Sequence, residues 1–174
     1  MINGLSYGRV RLRPLEPEDL EELYKWENDT SVWEVSNTHT PFSRYTLRRY
    51  IEESHLDINE VRQLRLIIEN TEGKVIGAID LFDYEPFHQR AGVGILIYEI
   101  EARNKGFATD ALELMSRYCK KFLGLNQLYA NIDSGNLSSI VLFEKSGFQK
   151  IGVKKSWNRT PDGWNDEILY QKLL

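Results

Sequence analysis

The segment that most constrains the fold lies between residues 93 and 123, where an apolar stretch, a basic turn and a long helix follow one another. Residues 93–98 are apolar and of strand length, and residues 109–123 carry apolar side chains at three- and four-residue spacing. The turn between them is basic and contains Gly106. The first N–H groups of a helix lack intrahelical partners and attract anions, and a glycine lets a ligand approach the backbone. The segment therefore predicts a strand–turn–helix unit that binds a phosphate group.

The rest of the chain alternates strands and helices around this unit. The predicted strands cover residues 9–15, 65–69, 74–81, 93–98, 128–132, 148–157 and 164–173. Further helices are predicted from Pro17, from Ser43 to about His55, and from Asn136 to Gly147, with loops at residues 31–43 and 83–89. This order predicts a mixed α/β fold with one central sheet, and a length of 174 residues predicts a single domain, residues 1–174.

Composition and charge argue against several classes of function. The net charge of −4 disfavours nucleic-acid binding, which normally requires a basic face. The single cysteine, Cys119, lies on the apolar face of the predicted helix and is expected in the core. The three histidines show no ligand spacing, so no metal site is expected. Since residues 1–5 do not resemble a signal peptide and no apolar run could span a bilayer, we expect a cytoplasmic protein without membrane contact.

Two motifs give the chain a family resemblance. Arg103-x-x-Gly106-x-Ala108 resembles the Q/R-x-x-G-x-G/A pyrophosphate loop of the GNAT superfamily of acetyl-CoA-dependent N-acetyltransferases. Asn136-x-x-Ser139, followed by Phe143-x-Lys145-x-Gly147-Phe148, is similar to the Asn-led helix of that family. Residues 11–20 resemble two of its branches, the spermidine N-acetyltransferases and the ribosomal-protein alanine N-acetyltransferases. The resemblance implies a single mixed, mostly antiparallel sheet, splayed at the cofactor site and flanked by helices.

The resemblance also implies a cofactor site for acetyl-CoA. Its pyrophosphate would be held by backbone N–H groups of Arg103, Asn104, Lys105, Gly106, Phe107, Ala108 and Thr109. Its pantetheine arm would pair with main-chain groups of Leu96, Ile97 and Tyr98 in the gap between two diverging strands. Asn136 and Ser139 would contact the arm near the thioester, and Phe143 and Lys145 would complete this side of the site. The substrate amine would attack the acetyl carbonyl directly, without a covalent enzyme intermediate.

Two positions depart from the family pattern. Phe143 stands where the spermidine branch usually has the tyrosine that protonates the departing thiolate, and Gly92 stands where related sequences often have a glutamate base. Ser139 is then the candidate catalytic donor, although a simple contact with the pantetheine accounts for it equally well. Asp83 and Glu85 are candidates for a base that acts through water or for binding a polycation, while a solvated connection explains them somewhat better.

Three interpretations of the function follow, two of which differ in the acceptor amine. A polyamine such as spermidine, or a related small amine, is favoured by the branch resemblance, although residues 35–40 lack the acids typical of that branch. The N-terminal amine of a ribosomal or other protein is favoured by the missing base, because its pKa of about 7.7–8.0 leaves more of it neutral than an alkylamine of pKa about 10.4. A non-catalytic acyl-CoA-binding module is the third reading. The tryptophans, expected in the core or in a subunit interface, are compatible with a homo-oligomer.

Overall fold

One eight-stranded sheet organises residues 5–174, the part of the chain that the computed structural model describes. The strands are β1 (Ser6–Tyr7), β2 (Val10–Pro14), β3 (Leu64–Asn70), β4 (Val75–Glu85), β5 (Arg90–Ile97), β6 (Gln127–Asp133), β7 (Gln149–Thr160) and β8 (Gly163–Leu173). Their order across the sheet is β1-β2-β3-β4-β5-β6-β8-β7. Every neighbouring pair is antiparallel except β5 and β6, which are parallel. The predicted mixed, mostly antiparallel sheet is confirmed.

Six α-helices accompany the sheet in the described residues. They are α1 (Leu20–Glu27), α2 (Trp33–Ser36), α3 (Arg44–Glu53), α4 (Ile58–Val61), α5 (Phe107–Lys121) and α6 (Leu137–Lys145). The hydroxyl of Ser43 caps α3 as predicted, accepting the Thr46 N–H at 3.0 Å. None of these helices is long and apolar enough to cross a membrane.

The loop predicted for residues 31–43 is partly wrong. A short 3₁₀ turn at Thr30–Val32 and helix α2 occupy its first half. Helix α4 was not predicted either. Both α2 and α4 have only four residues, which is too short for an apolar period to show in the sequence.

The helices cover both faces of the sheet and create two apolar clusters. On one face α5 buries Ala111, Leu112, Met115 and Cys119 completely, in the cluster that also receives α6. On the other face α1 and α3 pack Leu23, Trp26, Leu47 and Ile51 against β3 and β4. Alternate side chains of a strand point to opposite faces, so the two layers share the same strands. Beyond α1 and α3, the second face continues over β5 and β6, where the candidate site lies.

Strand β4 is longer than predicted, and it changes the surroundings of Asp83. The loop predicted for residues 83–89 is wrong for its first part, because β4 continues to Glu85, which pairs with Arg90 of β5. The register shifts between Phe82 and Glu85, and Asp83 has a left-handed φ of 47°. Such a bulge places an extra residue in one strand and redirects a side chain while pairing continues. Asp83 therefore belongs to strand β4 and not to a free loop.

Candidate active site

Strands β5 and β6 begin as a pair and then diverge. They are paired only from Arg90 with Gln127 to Gly92 with Tyr129, whereas β5 continues to Ile97 and β6 to Asp133. The two strands are parallel, so both run from the closed end of this gap towards its open end. The predicted splay of the sheet is thus present between β5 and β6.

The backbone of β5 is directed alternately towards β4 and towards the gap. Tyr98 N–H donates to the Ile76 carbonyl at 3.0 Å, which fixes the alternation for the whole strand. By that alternation Leu96 also faces β4, whereas Val93, Ile95 and Ile97 face the gap. Of the three residues predicted to pair with pantetheine, Ile97 is the one with main-chain groups on the open side.

Two helices begin at the open end of the gap. Helix α5 follows β5 through a 3₁₀ turn at Ile100–Ala102, and α6 follows β6 after a short turn. In open α/β sheets ligands bind outside the carboxyl ends of parallel strands, and helix N-termini there offer unpaired N–H groups. Asn104 and Gly106 have left-handed φ angles of 59° and 83°. Such turns direct successive N–H groups towards one concave site that suits an anion.

Two arginine side chains fix the shape of this loop. The Arg103 guanidinium donates to the Ile97 carbonyl at 2.9 Å and to the Tyr98 carbonyl at 3.3 Å, which ties the loop to the end of β5. Arg9 Nε donates to Asp110 Oδ2 at 2.9 Å, and its Nη1 donates to the Lys105 carbonyl. Arg9 could not be predicted as part of this loop, because no local sequence pattern brings residue 9 next to residue 106.

The other predicted loop residues lie where the motif placed them. Lys105 is exposed, and Phe107, Ala108 and Thr109 form the half-buried first turn of α5. The Arg9 guanidinium lies 5.8 Å from the centre of the Phe107 ring. The turn is therefore exposed to solvent at Lys105 and packed against the protein at the first turn of α5.

Helix α6 is held in place at its first residue. Asn136 Oδ1 accepts the Ser139 N–H at 3.2 Å, so Asn136 caps the helix. Asp133 accepts the Gly135 N–H at 2.8 Å and bonds from Asn158 and Asn165 at 2.9 and 2.8 Å, which connects this turn to the β7–β8 hairpin. Ser139 is half-buried in the first turn of the helix.

Phe143 and Lys145 lie further along α6. Phe143 is only 4% exposed, and its ring meets that of Phe148 edge to face with centroids 4.9 Å apart. Lys145 is exposed in the last turn. Phe143 is thus part of the apolar core, and its phenyl ring has no proton to donate.

Steric crowding accompanies the glycine at residue 92, where the family resemblance leads one to expect a glutamate. A Cβ built on Gly92 would lie 2.2 Å from Cε2 of Phe82, whose ring occupies the space above the strand. A side chain at residue 92 could not coexist with Phe82 in this position. The ring of Phe82 therefore leaves no room for an acidic side chain at residue 92.

The structure separates the two candidate acids on β4. Glu85 forms an ion pair with Arg62 at 3.1 Å. Asp83 instead accepts a hydrogen bond from the Tyr129 hydroxyl at 3.2 Å, and it is exposed. Burial and the Asp83 carboxylate together raise the pKa of Tyr129, so its hydroxyl stays protonated at neutral pH. Sequence reasoning missed Tyr129, whose position beside Asp83 depends on the register of three strands.

Cys119 and the metal-ligating residue types contribute nothing to this site. Cys119 is completely buried, and burial raises the pKa of its thiol to about 12. As the only cysteine of the chain, it offers no thiolate nucleophile at neutral pH. Within residues 5–174 no three His, Cys, Asp or Glu side chains are grouped so that they could hold a metal ion.

A splayed parallel strand pair with a phosphate-type loop at its open end defines a cofactor-dependent transferase site. Residues 9–149 match the family model described as an acetyltransferase (GNAT) domain. The chain belongs to the GNAT acetyltransferase family, whose members transfer an acetyl group from acetyl-CoA.

Several proteins resemble the chain over most of its length. It is 31% identical to the spermidine N(1)-acetyltransferase of Escherichia coli (strain K12), over 84% of this chain and 76% of that protein. It is 26% identical to the uncharacterized N-acetyltransferase p20 of Bacillus licheniformis, over 99% and 97% of the two chains. The crystal structure of spermidine N-acetyltransferase from Vibrio cholerae in complex with CoA and spermine superposes with a TM-score of 0.85 at 22% identity, covering 95% of each chain. At that identity the superposition shows a common fold.

Proposed function

We propose that this protein transfers the acetyl group of acetyl-CoA directly to a primary amine of a polyamine, such as spermidine, or of a related small amine. The observation that carries the proposal is the gap between β5 and β6, with the loop of residues 103–106 at its open end. The 31% identity to a spermidine N(1)-acetyltransferase supports the polyamine, and the net charge of −4 suits a cationic substrate.

In this proposal the cofactor lies along the gap from its open end to its closed end. The pyrophosphate binds N–H groups of residues 104–109, because the Arg103 N–H already donates to the Ile100 carbonyl at 3.1 Å. The pantetheine amides pair with the main chain of Ile95 and Ile97. A strand rises about 3.4 Å per residue, so Ile97 to Val93 spans roughly 14 Å, comparable to an extended pantetheine arm. The thioester then lies near Gly92, where the strands meet. The neutral amine attacks the carbonyl carbon and the C–S bond breaks. The positively charged nitrogen then loses a proton, and the departing thiolate gains one.

Ser139 is proposed as the hydroxyl that stabilises or protonates the departing thiolate. Ser139→Ala is expected to lower kcat about tenfold while the Kd of acetyl-CoA changes little, since a thiol of pKa about 8.5 leaves readily and needs only a weak donor. Steady-state kinetics and calorimetric titration would measure both quantities.

Ser138→Ala is the matched control, because the Ser138 hydroxyl is exposed and bonds to Asn136 Oδ1 at 3.1 Å. It should leave kcat near the wild-type value. Equal changes of kcat and Kd in Ser139→Ala would instead assign its hydroxyl to cofactor contact.

Asp83 is proposed as the acid that serves the acceptor amine. Asp83→Asn is expected to reduce kcat/KM for spermidine by about 10²-fold, in the range of lost general-base assistance or of a lost ion pair with the cation. Glu85→Gln is the control, because Glu85 is already paired with Arg62. A larger loss of kcat/KM for Glu85→Gln than for Asp83→Asn would show that Glu85, and not Asp83, serves the acceptor amine.

A free-thiol assay would test the acceptor class. Acetyl-CoA is incubated with the protein and spermidine, spermine, a short diamine or a peptide with a free N-terminal alanine. We expect CoA release with the polyamines and diamines. Release with the peptide alone would favour a protein N-terminus as acceptor, and acetyl-CoA binding without release would indicate a non-catalytic binding module.

A further inference from the structure

We infer that the rings of Phe82 and Tyr129, together with the Asp83 carboxylate, bind a second ammonium group of the acceptor. This inference rests on the proposed function and adds a specificity site to it. It selects amines that carry another charged nitrogen a few carbons from the reacting one.

The two rings form a corner on one face of the sheet. Their centroids are 5.8 Å apart and their planes are inclined by 85°. Phe82 and Tyr129 are both opposite Gly92 in the registers of their strand pairs, so the corner stands at the closed end of the gap. Both rings are half-buried and keep a solvent-accessible part. The negative face of an aromatic ring attracts alkylammonium ions, and perpendicular rings offer two such surfaces to one cation.

Asp83 adds a full negative charge beside the rings. The Tyr129 hydroxyl donates to Asp83 Oδ2 at 3.2 Å, and the bulge of β4 gives Asp83 its left-handed backbone. In the part of the chain that the structure describes, Asp83 makes no ion pair with lysine or arginine, unlike Glu85 with Arg62. An exposed carboxylate beside two rings is the residue combination that a cation requires.

The space over Gly94, beside this aromatic corner, is open. A Cβ on Gly94 would have one neighbouring atom within 4 Å, Cε1 of Phe82 at 4.0 Å. Gly94, unlike Gly92, therefore leaves room beside the Phe82 ring, and the thioester is expected to end next to this space. A diamine with one nitrogen at the thioester would place its other nitrogen at the corner.

The chemistry of the acceptors makes this site selective. The reacting nitrogen must be neutral, whereas the other nitrogen of a diamine, with a pKa of about 10.4, remains charged at neutral pH. A monoamine offers no second cation, and neither does a peptide that begins with alanine and has no lysine or arginine nearby. The corner thus favours polyamines over N-termini that lack a neighbouring cation.

The test compares 1,4-diaminobutane with butylamine, which has the same chain and only one nitrogen. The wild-type kcat/KM should be at least about tenfold higher for the diamine, and Phe82→Leu and Tyr129→Leu should each lower that ratio by up to about tenfold. Tyr129→Phe keeps the ring, so its ratio of the two kcat/KM values should lie between those of the wild type and Tyr129→Leu. Tyr118→Phe is the control, because Tyr118 is a half-buried tyrosine of α5 that packs against Phe122.

The outcomes separate this inference from the proposed function. A wild-type ratio near one, or a ratio unchanged in both leucine variants, would overturn the ammonium site while acetyl transfer still stands. Absence of transfer to every amine would refute the proposed function and this inference with it. If circular dichroism shows that Phe82→Leu is unfolded, Tyr129→Leu and Tyr129→Phe decide the result.

Discussion

Replacing Gly106 with alanine is expected to weaken acetyl-CoA binding about 10- to 100-fold. A Cβ at this residue would lie 2.2 Å from Nη2 of Arg9, so the guanidinium would have to move. Its movement would break the bonds to Lys105 and Asp110 that fix the phosphate loop. The loss of one charge-assisted hydrogen bond to the phosphates, about 1.5–3 kcal/mol, corresponds to this range of affinity. Calorimetric titration with acetyl-CoA would measure it.

Gly73→Ala is the matched control for the backbone. Gly73 has a φ of 80°, close to the 83° of Gly106, and no atom lies within 4 Å of a Cβ built on it. Both variants carry the same left-handed strain, about 1–2 kcal/mol, so both should lose stability. Only Gly106→Ala should lose affinity. Wild-type affinity in Gly106→Ala would refute the assignment of this loop to the pyrophosphate.

Replacing Gly92 with alanine is expected to destabilise the fold by about 1–3 kcal/mol, the usual cost of overpacking. The new methyl group would have to displace the ring of Phe82, whose nearest atom would lie 2.2 Å away. Urea denaturation would measure the change in the free energy of unfolding.

Two further variants would isolate the steric cause. Gly94→Ala, two residues along the same strand, meets only one atom at 4.0 Å and should be neutral or slightly stabilising. Phe82→Ala removes the obstructing ring, so the cost of Gly92→Ala should largely disappear in that background. An equal cost with and without Phe82 would show that the ring is not the obstacle.

Much of the fold, including the two helix N-termini proposed to hold the cofactor, could be predicted from local sequence. Periodicity located α5 within two residues at each end, and the Asn136 motif placed the cap of α6. These features depend on residues close together in the chain. The ends of β4 could not be predicted in this way, because the bulge at Asp83 depends on pairing with Arg90 across the turn.

The acceptor half of the site depends on contacts between distant residues. Phe82, Gly92 and Tyr129 belong to three strands, and nothing in the sequence around any of them indicates the other two. The family resemblance leads one to expect an acid at residue 92, whereas the structure shows that the ring of Phe82 occupies the space a side chain would need there. In the same way, Arg9 contacts the phosphate loop from the turn between β1 and β2, about a hundred residues away in the chain.

The sequence by itself determined the family resemblance, the order of the elements and the loop expected to bind the cofactor. Each of these depends on residue types at short, fixed spacing, which set local conformation and the positions of N–H donors. Only the tertiary structure decided how far β5 and β6 stay paired, which of Asp83 and Glu85 forms an ion pair with Arg62, and which aromatic rings meet beside the other. These features arise from strand register and side-chain packing, which bring residues together regardless of their separation in the chain.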